Sequence, residues 1–115
     1  MAAAEHLHPG PLAGVVKVER VGDGDGARNL GERDGADGYY WRHVGRNKRP
    51  IELDLKQDAG KDVLLRLVRD ADVLVENFRP GTLERLGLDP KTVLLRENPG
   101  LVVLRVTGFG QDGPY

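Results

Sequence analysis

The strongest constraint on the fold is an alternation of short β-rich runs and helical patterns through the second half of the chain. Pro50–Leu55 alternates in hydrophobicity, which is typical of a strand with one solvated face. Residues 58–70 place apolar side chains at helical spacing, with Asp58 as the predicted N-cap. Two further predicted strands, Asp72–Glu76 and Leu101–Val106, each follow a helical pattern. Because parallel strands need crossover connections, this order predicts an α/β fold with a parallel sheet and helical crossovers.

The first half of the chain is organised around a glycine-rich segment. Val15–Glu19 is typical of a strand, and Tyr39–Val44 of a short helix that Gly45 ends. Between them, residues 20–38 hold six glycines and five acidic residues without apolar periodicity, which predicts a long mobile loop. Gly22–Gly26 is not a dinucleotide fingerprint, since no helix opens after it, nor an EF-hand loop, since the later ligand positions are absent.

Two shorter helices are predicted between the last strands. Pro80 fits the first turn of a helix that runs to Leu86 and stops at Gly87. A second short helix is predicted over Pro90–Glu97, bounded by the turn-forming residues Asn98–Gly100. Both patterns lie where a crossover between parallel strands belongs.

Composition excludes several classes of function. The 17 Lys and Arg residues nearly balance the 18 Asp and Glu residues, so the net charge of −1 gives no reason to expect a nucleic acid or an anionic membrane as partner. The absence of cysteine excludes disulfides, a thiolate nucleophile and sulfur-ligated metals. His6, His8 and His43 form no catalytic or metal-binding set, so no metal site is predicted. No apolar run is long enough to span a membrane and the start lacks a secretory signal, which predicts a cytoplasmic protein.

Two polar segments adjoin the predicted strands. Gly45–Pro50 brings three cations before one strand, and Asn77–Gly81 follows the next. Because open α/β sheets bind ligands at the carboxyl ends of their strands, the second segment is expected at a binding edge, and so is the loop after the last strand. Arg79 and Arg85 offer forked donors to phosphate, and Phe78 offers an apolar face to a base. The alternative is a solvated basic patch beside an ordinary turn.

No general acid–base pair stands out among the acidic residues. Asp72 and Glu76 bracket a predicted strand, and capping or surface exposure is sufficient to explain both. Nothing in the residues themselves therefore predicts proton-transfer chemistry.

Several motifs in order resemble one known family. They run from about residue 14 to the end of the chain and comprise Val15–Arg20, the glycine- and aspartate-rich loop, Arg46–Arg49, Leu53–Lys56, Asp72–Gly81 and Gly108–Tyr115. Together they closely resemble the class III coenzyme A transferases, the family of formyl-CoA transferase, carnitine-CoA transferase and α-methylacyl-CoA racemase.

The resemblance implies a Rossmann-like large domain that holds coenzyme A at the edge of a parallel sheet. It implies acyl-CoA and a carboxylic acid as substrates and an interlocked homodimer as the assembly, without a metal. The phosphates and adenine of CoA require cations and an apolar stacking surface. The positions that match the family's CoA contacts are Arg20, Leu53, Lys56, Asn77, Phe78, Arg79 and Arg85.

The catalytic aspartate that the resemblance implies, which carries CoA as a covalent thioester, is expected beyond Tyr115. The chain is therefore expected to hold a flexible tail over residues 1–13 and a truncated, partial CoA-transferase large domain over residues 14–115. On this expectation it lacks the catalytic segment and the second domain and is inactive alone. An acyl-CoA racemase fragment, a non-catalytic CoA- or nucleotide-binding module and a decayed product that does not fold are the alternatives.

Overall fold

The computed structural model describes residues 14–113. The predicted tail, with His6 and His8, and the end of the last family motif lie outside the described residues. The elements in chain order are β1 (Val15–Glu19), a 3-10 turn (Gly26–Asn29), β2 (Arg33–Asp34), β3 (Asp37–Gly38), α1 (Tyr39–Val44), β4 (Lys48–Glu52), α2 (Asp58–Arg69), β5 (Val73–Glu76), α3 (Thr82–Arg85), a π turn (Pro90–Leu94), α4 (Leu95–Glu97) and β6 (Val102–Arg105).

Parallel pairing of strands is the main feature of the fold. β1 pairs with β4 so that Glu19 lies opposite Glu52, and β5 pairs with β6 so that Glu76 lies opposite Arg105. The connection within each pair contains helical turns, as a parallel crossover requires. The predicted α/β class is confirmed. Within residues 14–113 the parallel strands form two pairs rather than one continuous sheet, and β2 and β3 add an antiparallel ribbon that was not predicted.

The helix α2 lies close to its predicted position. Leu64 and Val68 are buried on its apolar face, as the helical spacing indicates. The prediction that Asp58 is the N-cap was wrong by one residue. Gln57 is the cap and makes no side-chain capping bond, while Asp58 lies in the first turn, where its carboxylate favours the helix dipole.

Other boundaries shift where turns interrupt the pattern. The strand predicted over Pro50–Leu55 is observed as β4, two residues earlier, and the chain then turns at Asp54, whose carbonyl oxygen accepts from the Gln57 N–H at 3.1 Å. α3 begins only at Thr82, because Gly81 adopts the left-handed conformation with φ +84° before it. The helix predicted over residues 90–97 is a π turn that continues into α4.

The described residues pack into two hydrophobic clusters. The main cluster joins α2 to β1, β5 and the segments after β5, through Val18, Leu55, Leu64, Val68, Leu74, Leu83, Leu88, Leu94 and Leu101. The second is small and contains Ala27, Trp41 and Val44. No helix in the described part of the chain is long and apolar enough to cross a membrane.

Residues 20–38 have more internal structure than a mobile loop. The segment contains the 3-10 turn and the two-residue ribbon β2–β3. Asp25 is the N-cap of the 3-10 turn, and its carboxylate accepts from the Ala27 N–H at 2.8 Å. Side-chain hydrogen bonds that periodicity cannot reveal therefore order a segment without a repeating apolar pattern.

Candidate functional site

The carboxyl ends of β1 and β4 place three of the predicted CoA contacts at one edge. Arg20 follows β1 directly and Leu53 follows β4 directly, and the Leu53 N–H donates to the carbonyl oxygen of Glu19 at 3.0 Å. Arg20 and Lys56 are exposed, while Leu53 packs partly against the main cluster. The Arg20 guanidinium pairs with Asp23 at 2.9 Å in a fully solvated ion pair. Such a pair is weak, so an incoming anion can replace the carboxylate.

The carboxyl end of β5 places the other four predicted contacts together. Asn77 and Arg79 are exposed, and Phe78 packs partly against the main cluster. Arg85 on α3 donates from Nη2 to the Thr82 hydroxyl at 3.1 Å, so its guanidinium folds back toward the start of its helix. A Cβ on Gly81 would lie 2.8 Å from Arg85 Nη1. The segment of residues 77–81, here called the β5 loop, therefore has guanidinium groups within it and beside it.

A groove of about 350 Å³ lies where the segments after β5 and β6 meet. Its lining residues are Arg79, Pro80, Thr107, Gly108, Phe109 and Gly110. Phe109 is 76% exposed and supplies an aromatic side chain to this lining. Sequence reasoning expected the loop after the last strand to be functional but named no residue in it. The signal was its place at the carboxyl end of a parallel strand.

A partly buried ion cluster of Glu76, Arg105 and Glu84, here called the β5 cluster, joins the end of β5 to the end of β6 and to α3. Glu76 is fully buried; its Oε1 accepts from Arg105 Nε at 2.5 Å, and its Oε2 accepts from the Phe78 N–H at 2.7 Å. Arg105 also donates from Nη1 and Nη2 to the two carboxylate oxygens of Glu84, at 2.6 and 3.2 Å. Of the two explanations given for Glu76, capping or surface exposure, surface exposure was wrong, because the carboxylate is desolvated and paired.

The pKa values of this cluster follow from its hydrogen bonds. The bond from Arg105 holds the pKa of the Glu84 carboxyl below its ordinary value. The same bond, followed by that to Glu76, raises the pKa of Arg105. Both shifts favour the charged forms of Glu84 and Arg105, so these two groups remain an ion pair at neutral pH.

A second buried cluster lies at the end of β1 and was also missed by sequence reasoning. This β1 cluster consists of Lys17, Glu19, Asp25, Arg28 and Trp41. Glu19 Oε2 accepts from the Asp25 N–H at 3.0 Å and from Arg28 Nε at 2.8 Å, and Glu19 Oε1 accepts from Arg28 Nη2 at 3.0 Å. The Arg28 guanidinium lies 4.2 Å from the Trp41 ring centre, and Lys17 pairs with Asp25. The hydrogen bond that Arg28 donates to Glu19 raises the pKa of Arg28.

The signal for the β1 cluster was present but ambiguous. Lys17 and Glu19 alternate with valines along β1, a pattern that usually marks a solvated strand face. Here that face is covered by residues 20–38 and Trp41, so both charges are buried. Alternation shows which residues share a face but does not show whether that face meets water.

The seven predicted contacts form two groups, one at each parallel pair. Leu53 and Phe78, one from each group, both pack against the main hydrophobic cluster. The basic segment Gly45–Pro50 lies at the amino end of β4, away from Arg20 and Leu53, and Lys48 Nζ there donates to the carbonyl oxygen of Val44 at 2.6 Å. Over residues 14–113, no group of three or more His, Asp or Glu side chains is placed to hold a metal ion.

Comparison with known proteins places this chain in a family. CoA-transferase family III matches residues 13–115, and the chain belongs to that family. It is 46% identical over 104 residues to a succinyl-CoA–D-citramalate CoA-transferase of Chloroflexus aurantiacus, covering 90% of this chain and 26% of that protein. It is 45% identical over 120 residues to a formyl-CoA:oxalate CoA-transferase of Bradyrhizobium diazoefficiens, covering 96% of this chain and 28% of that protein.

Solved structures agree with this assignment. A CaiB/BaiF family protein from Brucella suis matches with a TM-score of 0.78 and 38% identity, covering 88% of this chain and 28% of the other. A protein from Mycobacterium tuberculosis matches with a TM-score of 0.75 and 40% identity, covering 87% and 27%. The chain spans about a quarter of the length of the curated relatives that it matches.

Proposed function

We propose that this chain supplies part of the CoA site of an enzyme that moves CoA from an acyl-CoA donor to a carboxylic acid acceptor. Family membership over residues 13–115 supports the class of activity. The observation that carries the proposal is that six of the seven predicted contacts lie in the loops after the carboxyl ends of β1, β4 and β5, and that the seventh, Arg85, lies on α3, which follows the β5 loop. The carboxyl ends of parallel strands are where open α/β folds bind nucleotides.

The chemistry of the exposed groups suits the nucleotide end of CoA. Arg20, Lys56, Arg79 and Arg85 provide cations for a pyrophosphate and a 3′-phosphate, and each guanidinium can form paired hydrogen bonds with phosphate oxygens. Phe78 provides a partly exposed ring on which an adenine can stack. Cations and a stacking surface at the carboxyl ends of parallel strands are what a phosphorylated adenine nucleotide requires.

We further propose that the nucleophile of the reaction is an aspartate outside these contacts, and that it carries CoA as a thioester during turnover. Glu76 and Glu84, the carboxylates of the β5 cluster, are poorly suited to the role. Both are bonded to Arg105, and both oxygens of each accept hydrogen bonds, which lowers their nucleophilicity. The chain's own residues therefore bind and orient CoA, and the group that attacks the acyl carbon lies elsewhere.

The activities for which the relatives are named support transfer over racemisation. Those relatives are described as CoA-transferases that use succinyl-CoA or formyl-CoA with a carboxylate partner. The acceptor for this chain is accordingly proposed only as a carboxylic acid. The interlocked homodimer that the family resemblance implies belongs to the same proposal.

CoA titration of the purified chain tests the proposal. We expect CoA to raise the Tm, since a ligand at 100 times its Kd stabilises by about 2.7 kcal/mol. Pantetheine, which lacks the nucleotide, should bind much more weakly. Arg79→Ala combined with Arg85→Ala should abolish most of the shift. Arg96→Ala is the matched control, because Arg96 is an exposed arginine on α4, outside the proposed site.

Two results would contradict this proposal. One is a Tm that CoA leaves unchanged. The other is a CoA shift that survives the double variant at full size, since the proposed cations would then not be the ones that bind the phosphates.

A further inference from the structure

We infer that Arg105 is a positioning residue that holds both ends of the β5 loop in the geometry required for CoA binding. The inference rests on the proposed function, because the loop's ligand is the CoA proposed above. Arg105 matches none of the predicted contacts. Its side chain is only 18% exposed and is paired with two carboxylates, so the role inferred for it is to act on the ligand through the loop.

The first end of the loop is fixed through Glu76. The Arg105 Nε bond at 2.5 Å orients the Glu76 carboxylate, whose other oxygen accepts from the Phe78 N–H at 2.7 Å. Glu76 is fully buried, so no water can take the place of Arg105 in orienting it. The position of the Phe78 backbone, and with it the proposed stacking ring, therefore depends on a residue of the neighbouring strand.

The second end is fixed through Glu84. Arg105 Nη1 and Nη2 form a two-point contact with its carboxylate, at 2.6 and 3.2 Å. Glu84 lies on α3 beside Arg85, one of the proposed phosphate contacts. The four residues of α3 form barely one helical turn, too short to be stable alone. Two tertiary contacts hold it in place: Leu83, which is buried in the main cluster, and the Glu84 contact to Arg105, which fixes the exposed side of the turn.

A guanidinium is required for this double contact. Arg105 uses Nε toward Glu76 and both terminal nitrogens toward Glu84, and its rigid planar shape holds the two carboxylates at a fixed separation. A lysine presents a single ammonium and cannot reproduce two directed contacts on opposite sides. Arg105 also lies two residues before Thr107, where the second lining segment of the groove begins. Arg105 therefore connects the β5 loop to the segment after β6.

The experiment compares Arg105→Met and Arg105→Lys with Leu94→Ala in the full chain. Leu94 is fully buried in the main cluster and belongs to neither loop, so Leu94→Ala controls for general loss of stability. The CoA Kd is measured at a temperature at which every variant is folded. Hydrogen exchange of the Phe78 amide is measured without ligand, which reports the loop directly.

We expect Arg105→Met to raise the CoA Kd about tenfold. A rise of this size corresponds to a β5 loop that is in its binding conformation about one tenth of the time. Arg105→Lys should fall between wild type and Arg105→Met. Phe78 amide exchange should accelerate in both variants and remain unchanged in Leu94→Ala, whose CoA Kd should also equal that of the wild type. Glu84→Gln, which breaks only the contact to α3 at a partly exposed residue, provides a second variant should Arg105→Met fail to fold. It should raise the Kd less.

Two outcomes overturn the inference. One is a Phe78 amide that exchanges at the wild-type rate in both Arg105 variants. If Arg105→Met does not fold, the same result in Arg105→Lys is sufficient. The other is an equal rise in Kd in Leu94→Ala at the same loss of Tm, which would make the effect one of general stability. A wild-type chain that does not bind CoA overturns the proposed function instead, and the Phe78 exchange then decides whether Arg105 holds the loop.

Discussion

The carboxyl ends of β1 and β5 differ in where the partner of their buried glutamate comes from. Each strand ends in a buried glutamate, Glu19 or Glu76, that accepts a backbone N–H from the segment that follows. Glu19 is paired with Arg28, nine residues later in that same segment. Glu76 is paired with Arg105, 29 residues later on the neighbouring strand. The segment after β1 is therefore held by an arginine within it, whereas the segment after β5 is held by an arginine on the neighbouring strand β6.

Because of this difference, the segments after β1 and β5 depend on different parts of the chain for their positions. The segment after β1 carries Arg20 and is held mainly by contacts within residues 17–41, with one further bond from the Gly22 N–H to the exposed Glu52 carboxylate at 3.3 Å. The β5 loop carries Asn77, Phe78 and Arg79, and it depends on the correct docking of β6. Substitutions near β1 should therefore affect mainly the segment after β1, whereas substitutions in β6 should also disturb the β5 loop, which is distant in sequence.

Removal of either arginine should cause the largest loss. Arg28→Met and Arg105→Met each leave a buried glutamate without its main cation, which typically costs about 3–5 kcal/mol. Urea unfolding gives the free energy of unfolding for each variant. If the free energy of unfolding falls by less than about 1 kcal/mol, both pairs contribute no more than exposed ion pairs do. The two arginines would then not hold the two segments.

Two glycines should respond unequally to the same substitution. Gly24 and Gly81 both have positive φ, so alanine costs about 1–2 kcal/mol of backbone strain at either position. A Cβ on Gly24 would also lie 2.7 Å from Glu19 Oε2, inside the buried pair, whereas on Gly81 it would meet only the exposed Arg85 guanidinium. Gly24→Ala should therefore destabilise more, as measured by the Tm. Equal losses would show that Glu19 moves freely and is not the fixed centre of the β1 cluster.

Acid should weaken the contact of α3 through Glu84. Its pKa is below the ordinary value of 4.5 because Arg105 donates to it, so folding favours the charged form. That contribution is present above the unfolded pKa and is lost as the pH falls through the lower folded pKa. The stability difference between wild type and Glu84→Gln should shrink steadily below about pH 4.5. A difference that is constant from pH 7 to pH 3 would contradict this.

The exposed pair at the start of the segment after β1 should matter least. Arg20 and Asp23 are both about three-quarters exposed, so Asp23→Asn should change the free energy of unfolding by less than about 0.5 kcal/mol. CoA binding should be unchanged or slightly tighter, because Arg20 loses a competing carboxylate. Weaker CoA binding would show that Asp23 holds Arg20 in its binding position.

The sequence predicted the elements better than it predicted the contacts between them. Short β-rich runs located β1 and β5, and Gly45 correctly ended α1. Patterns within one element carried no information on the pairing of Glu76 with Arg105, which arises only when two distant strands align in register. The seven CoA contacts came from family resemblance, and the structure places them at strand ends without a ligand to test them. They stay predictions.

Separation along the chain also sets the order in which the two clusters can form during synthesis. A loop of about ten residues closes in roughly 10–100 ns, so Arg28 can reach Glu19 as soon as both have left the ribosome. Glu76 must wait for the 29 residues up to Arg105, which at about 5–20 residues per second takes roughly 1.5–6 s. Throughout that interval the nascent chain presents a hydrated Glu76 and a β5 loop without its cation.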